Sequence, residues 1–316
     1  MAVSATNTYT GAGLAEDFED IVNNVSPADT PLYTLAKKKK ATGKYHQWQT
    51  EALAAAAANK QLEGDDATFA TLAATTVLGN YCQISRKTVQ ISGTYDAVKK
   101  YGRKSELAHQ LVKAGKELKR DMEYALVRNQ ASDDGSAGTA RASAGFESWI
   151  KGNNVKSNTG QTTPGFSAGI VTAPTDGTAT TFLEADLKTA VGYAWADGGD
   201  PSIIMMSSLN KGRFDSFSGI ATKYNQVNGA KQADIIGAAD LYVSSYGNHK
   251  VVLNRYMRDN AVLCIDPDYV SVASLRGISQ EELAKTGDSE KRMILAEYCL
   301  VVDNLDAHAK ISGVGV

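Results

Sequence analysis

The residues that could do chemistry here are few and scattered. The four histidines, His46, His109, His249 and His308, lie far apart along the chain. None stands three to five positions from another, so the HExxH and HxxxH spacings that put two zinc ligands on one helix face do not occur. Cys82, Cys264 and Cys299 make neither a CxxC pair nor an even set, and they fit buried thiols of a reducing compartment. The phosphate- and dinucleotide-cradling patterns GxxxxGK[ST] and GxGxxG are missing. Lys285-Thr286-Gly287 lacks the upstream glycine of a phosphate loop and fits a solvated turn. The acid pairs Asp65-Asp66, Asp133-Asp134 and Asp266-Pro267-Asp268 each adjoin Gly, Pro or Ser. Aspartate there bonds nearby backbone N–H groups, and no stretch spaces the ligands of a calcium loop. The sequence therefore points to no catalytic residue, no metal and no cofactor. Because a triad can assemble from distant positions, a hydrolase with dispersed residues stays open as the weakest alternative.

Composition bounds the class. The 316 residues carry 33 Lys+Arg against 35 Asp+Glu, with 43% hydrophobic and 22% charged residues. That is a globular balance, and its near-neutral charge lacks the basic excess of a dedicated nucleic-acid binder. No uncharged stretch is apolar enough to span a bilayer. Met1–Gly13 lacks the basic start and apolar core of a secretion signal. The expectation is a soluble protein made in a cytoplasm.

The elements that would position any site have a clear order. Phe18, Ile21, Val22 and Val25 share one helical face, ended at Ser26-Pro27. Thr30-Pro31 and the run Lys37–Lys40 follow, the lysines suited to a solvated face or to a contact with acidic surface or DNA phosphate. Lys44–Thr50 and Asn80–Ser92 read as strands joined by a tip at Asn59–Asp66. A hairpin of that length with so little apolar content is marginal by itself. It calls for a neighbouring subunit. The spacing then predicts a long helix over 103–130, with Leu107, Leu111, Ala114, Leu118, Met122, Ala125 and Leu126 as its core stripe. Gly115 in its middle implies a close backbone neighbour, and Glu106 and Glu117 fit plain surface charge. Ser132–Gly138 and Lys151–Phe182 have loop composition. Beyond them, helices are expected at Glu184–Ala196 and from Ser207 or Ser208 to Phe217. Strands are expected at Ser202–Met206, Leu241–Ser245, Lys250–Asn254, Ala261–Ile265, Tyr269–Leu275 and Met293–Val302. Gly247-Asn248 and Asp266–Asp268 supply turns, and the last strand, apolar on both faces, belongs in the middle of a sheet. The fold class is α+β.

An arm, a long hairpin, a spine helix and a mixed second unit, in this order, resemble the major capsid proteins of tailed bacteriophages, with the Hong Kong 97-type fold. The likeness is carried by Ala54–Asp66, Leu78–Val89, Gly102–Glu123, Gly198–Met205, Phe217–Tyr224 and Ala284–Met293. The resemblance implies an N-terminal arm over 1–43 and an extended loop over 44–92. It implies a peripheral domain over 93–181 with 264–316, and an axial domain over 182–263. It also implies self-assembly of pentamers and hexamers into an icosahedral virion shell enclosing double-stranded DNA without sequence-specific binding. Assembly would take place in the host cytoplasm with a portal protein and a decoration protein. Since Met1-Ala2-Val3 leads almost directly into the arm, scaffolding is expected to be a separate protein or dispensable. Lys60 is the lysine nearest the hairpin tip, but no matching Asn and acid are evident and no cross-link is expected. Trp48, Glu63, Asp65 and Asp66 are expected to contact a neighbouring copy through Arg86, Lys87, Arg103 or Lys104. The same fold serves encapsulin-like compartment shells, the main alternative.

Overall fold

In the computed structural model the described residues are 29–67, 69, 71–72, 74–100, 102, 105–155, 160–217 and 241–315. The helical face expected at Phe18, Ile21, Val22 and Val25, together with Arg103 and Lys104, lies outside them. The chain opens with the short helix α1 (Pro31–Leu35) and strands β1 (Lys37–Lys40), β2 (Tyr45–Thr50), β3 (Thr76–Tyr81) and β4 (Gln83–Ser92). Helices α2 (Gly93–Ala97), α3 (Glu106–Val127) and α4 (Phe146–Trp149) come next, then β5 (Asn154–Val155), β6 (Gly165–Ser167) and β7 (Ile170–Thr172). The second half holds α5 (Glu184–Ala196), β8 (Ile203–Met206), α6 (Ser208–Asp215), β9 (Leu241–Ser244), β10 (Gly247–Leu253) and β11 (Ala261–Ile265). It ends in β12 (Val270–Glu282), β13 (Ser289–Val302) and β14 (Ala309–Ser312).

The spine helix is shorter than 103–130. The Ser105 hydroxyl accepts the Ala108 N–H at 3.3 Å, an N-cap that starts α3 at Glu106, and extended backbone at Arg128 ends it. Its buried stripe is Ala114, Leu118, Met122, Ala125 and Leu126, with Leu107 and Leu111 half-buried. Two expectations fail on this helix. Gly115 has open space where a Cβ would stand. Glu106 is buried, not surface charge: its N–H donates to Asp96 and its carboxylate accepts from Gln110.

Four strands form one sheet in the order β1-β12-β13-β4, with β1 parallel to β12 and the other pairs antiparallel. β13 is interior, as its two apolar faces require. Ile294, Ala296, Tyr298, Leu300 and Val302 face the core beneath α3. Cys299 and Val301 face a smaller cluster with Ala41, Cys82 and Ala273. β12 and β13 are longer than Tyr269–Leu275 and Met293–Val302, because polar Glu281, Glu282 and Arg292 pair in register at their exposed ends. Polar ends carry no hydrophobic period to read.

The second sheet runs β5-β14-β11-β8-β10-β9. Alternation sends Met205, Leu263 and Ile265 into the core shared with α3. Ile204, Met206, Val262 and Cys264 face the core under α5. The 263/264 domain boundary falls inside β11, so this sheet draws strands from both segments that the boundary separates. Within 151–182, expected to be loop, lie β5 and the β6–β7 hairpin. The turn expected at Gly247-Asn248 sits instead at Ser245-Tyr246, because the Ser244 hydroxyl accepts the Tyr246 N–H at 3.1 Å. Gly247, at φ +140°, already pairs with Ser244.

The hairpin also differs from its expected pairing. β2 pairs antiparallel with Thr76–Tyr81, not with Asn80–Ser92. The chain breaks at Cys82, whose N–H donates to Lys44, and Gln83–Ser92 then edges the four-stranded sheet. Asn80 forces the break. Fully buried, it donates to the Leu300 carbonyl at 2.8 Å and accepts the Ala144 N–H at 2.9 Å.

Candidate subunit-contact surface

Three devices fix the base of the hairpin. Trp48, half-buried, donates its indole N–H to Val302 at 3.0 Å and packs on Trp149 with ring centroids 5.5 Å apart. Tyr45 donates its hydroxyl to Gly169 at 3.1 Å. Gly79 faces the Tyr45 ring so closely that a Cβ would stand 2.4 Å from it. Beyond Thr50 the described residues as far as Thr75 form neither helix nor strand and are exposed throughout. Leu53, Leu62, Phe69 and Leu72 are 96, 79, 98 and 92% exposed. Large apolar side chains left in water at that density mark an interaction surface. Gly64, at φ +81°, turns the tip, and the Asp65 carboxylate accepts the Asp66 N–H at 3.0 Å. This is the turn chemistry expected of that pair. Asp133 and Asp266 do the same for Gly135 and Asp268.

The arm is held by a buried carboxylate that sequence reasoning missed. Glu123 of α3 accepts the N–H groups of Leu32 and Tyr33 at 2.8 and 2.7 Å, and the Asn254 amide at 2.6 Å. It thereby caps α1 and ties arm, spine and second sheet together. Burial raises its pKa, while the two backbone donors, Asn254 and Lys38 pull it back. The only available signal was an acid placed beside the buried stripe. The lysine run is an edge strand: Lys37 pairs with Asp268 and Lys39 with Asp303, both at 2.7 Å. The Lys38 ammonium lies over the Tyr33 ring.

The sequence-selected contact residues separate into three groups. Trp48 sits at the hairpin base; Glu63, Asp65 and Asp66 sit exposed at its tip. Arg86 and Lys87 lie on β4, with Arg86 exposed and Lys87 paired to Asp121 at 2.7 Å. Within one chain no hydrogen bond or ion pair joins the tip to β4 among the described residues.

No reaction centre is assembled among the described residues. Among the described residues no three His, Cys, Asp or Glu group as metal ligands, and no helix is long and apolar enough to cross a membrane. His249 bonds Ser244 and Pro201, and His308 accepts the Asp266 N–H at 3.1 Å. Both are buried, His249 on strand β10 and His308 in the loop before β14. All three thiols are buried and free; burial pushes Cys264 up to about 12. The expectation that no GxSxG serine-nucleophile spacing occurs is corrected by Gly165–Gly169 (GFSAG). It forms the β6–β7 turn, with Ala168 at φ +50° and Ser167 exposed. A nucleophile elbow needs a strand-to-helix turn.

Solved phage shells share this architecture. The capsid asymmetric unit of Cyanophage A-1(L) matches with a TM-score of 0.66 at 13% identity, over 98% of this chain and 99% of that one. The structure of phage G gp27 major capsid proteins with gp26 decoration proteins matches at 0.56 and 10% identity, over 99% of each chain. The fold is therefore the α+β, Hong Kong 97-type fold of phage capsid proteins. The chain belongs to the SU10 major capsid protein family, whose model matches residues 3–315. It is 28% identical to the major capsid protein of Escherichia phage Phieco32, over 93% of this chain and 92% of that protein. This is a major capsid protein of a tailed phage, a structural component of the virion, and the encapsulin reading is not favoured.

Proposed function

We propose that copies of this chain close, as pentamers and hexamers, into an icosahedral shell around a double-stranded DNA genome, and that the hairpin is its repeating heterologous contact. The exposed apolar loop 51–75 carries this reading, because four large side chains in water need a partner surface. Residues 1–43 serve as arm and 44–92 as extended loop. Residues 93–181 with 264–316 serve as peripheral domain and 182–263 as axial domain, the six-stranded sheet bridging the last two. Glu63, Asp65 and Asp66 meet basic residues of the next copy, drawn from Arg86, Lys87, Arg103 and Lys104, with Trp48 setting the hairpin's angle.

The shell works by geometry and not by catalysis, without metal or cofactor. Near-zero net charge lets many copies lie side by side and leaves DNA held by confinement. Portal and separate scaffolding proteins complete assembly in the host cytoplasm. Decoration proteins accompany the similar phage G shell, and a decoration protein is a further partner here. Negative-stain microscopy of the purified full chain tests this: closed particles are expected, and a solitary rounded monomer at assembly concentrations refutes it.

A further inference from the structure

Two of the three thiols are neighbours. β4 and β13 pair antiparallel as far as Gln83 opposite Tyr298, and one further step of that register sets Cys82 opposite Cys299. The backbone polar groups of these two residues point away from each other. The Cys82 N–H donates to Lys44. On the β4 side of β13 the engaged backbone is that of Leu300, its N–H given to Ser143 and its C=O to Asn80. Alternation therefore turns the N–H and C=O of Cys299 the other way, toward Ala273 on β12. Such a non-hydrogen-bonded cross-strand pair has its Cα atoms about 4.5 Å apart, within the span that a disulfide bridges. Both side chains are fully buried in one small cluster, and its members Ala41 and Ala273 leave room for two sulfurs to close. Cys264 stands apart from them, in the core under α5.

We infer that Cys82 and Cys299 are a redox modification site, which a small disulfide such as oxidised glutathione converts to an intrachain disulfide stapling the end of the hairpin to the central strand β13. The Cys82 S–H donates to the Gly43 carbonyl at 3.6 Å. Its sulfur in turn accepts from Cys299, a bond that holds the Cys82 pKa below its usual value and, with burial, raises that of Cys299. Cys82 is therefore the attacking thiol. Its thiolate attacks one sulfur of the small disulfide, forming a mixed disulfide as one small thiolate leaves. The Cys299 thiolate then attacks the Cys82 Sγ and expels the second. The two protein thiols give up two electrons and two protons; the small disulfide takes both electrons and becomes two thiols. Trp48 and Leu275 pack against the cluster, so the oxidant enters when the hairpin base opens. The reduced pair permits that opening, and the disulfide fixes the chain where it breaks between β3 and β4. This inference concerns one chain and stands independently of the shell reading.

The test holds folded, full-length wild type, C264S and C299S in excess oxidised glutathione. Each sample is quenched with acid and unfolded for a free-thiol count, intact mass and non-reducing peptide mapping. Wild type is expected to fall from three free thiols to one, lighter by two hydrogens, with the Cys82 and Cys299 peptides linked. C264S should fall from two to none by the same link, and C299S should stop at a glutathione adduct on Cys82. Oxidation should raise the urea midpoint of the wild type by about 1 M, and dithiothreitol should reverse it. A wild type that keeps three thiols, gains only glutathione, or links either cysteine to Cys264 or to another chain overturns the staple. The wild-type map needs no substitution, so it decides the matter even where a variant fails to fold.

Discussion

The indole N–H of Trp48 reaches across 254 positions of sequence to the carbonyl of Val302 at 3.0 Å. One hydrogen bond thus ties the base of the projecting hairpin to the end of the central strand β13. Trp48→Phe keeps the ring on Trp149 and leaves the carbonyl unpaired, at an expected cost of about 1 kcal/mol. Trp48→Ala also removes the half-buried ring, for roughly 2–3 kcal/mol. Urea unfolding of the unassembled chain measures both, and no loss in Trp48→Phe would show that the bond contributes nothing.

Glu123 supplies the acceptors for the first turn of α1. Glu123→Ala strands two backbone donors and the Asn254 amide, for about 3 kcal/mol or more. Glu123→Gln keeps one acceptor oxygen and should lose less. Limited proteolysis after Lys37–Lys40 is the direct readout: faster cleavage in the alanine variant is expected, and unchanged protection would mean that the arm is held elsewhere.

Gly115 has nothing near its missing Cβ within its own chain. Gly115→Ala should stabilise the free subunit by up to ~1 kcal/mol through helix propensity alone. A free subunit that melts higher yet assembles poorly would locate the missing neighbour on another copy.

His308 is held neutral, its pKa lowered to about 3 by burial, against about 6.5 in an unfolded chain. A depressed folded pKa contributes stability that is full above the unfolded value and is lost as pH falls toward the folded one. The expected loss begins below about pH 6.5, grows down to about pH 3, and amounts to several kcal/mol. His308→Gln should flatten that part of the stability profile measured by urea titration at stepped pH. A slope unchanged by the substitution would assign the acid loss to other groups.

Phe69 and Leu72 are nearly fully exposed. Replacing both by Ser should leave the stability of the free subunit within about 0.5 kcal/mol and sharply reduce particle yield. Assembly at wild-type levels would remove the loop from the contact.

Much was legible in the residues, for a physical reason. The stripe Leu118–Met122–Leu126 and the alternation in β8 and β11 are periodic, and burial of one face imposes that period. Both apolar faces of β13 likewise announced a central strand, and the acids of the tip announced a turn. What sequence left open was where chain segments meet. Nothing local distinguishes Thr76–Tyr81 from Asn80–Ser92 as the partner of β2; the buried amide of Asn80, satisfied by Leu300 and Ala144, decides it. Glu106 and Glu123 read as ordinary helix charge until packing closes around them. Arg120 too reads as helix charge until packing buries its Nε without a hydrogen-bond partner. Periodicity belongs to one segment and can be read along the chain; a pocket or a cap belongs to two distant segments and exists only once they are brought together.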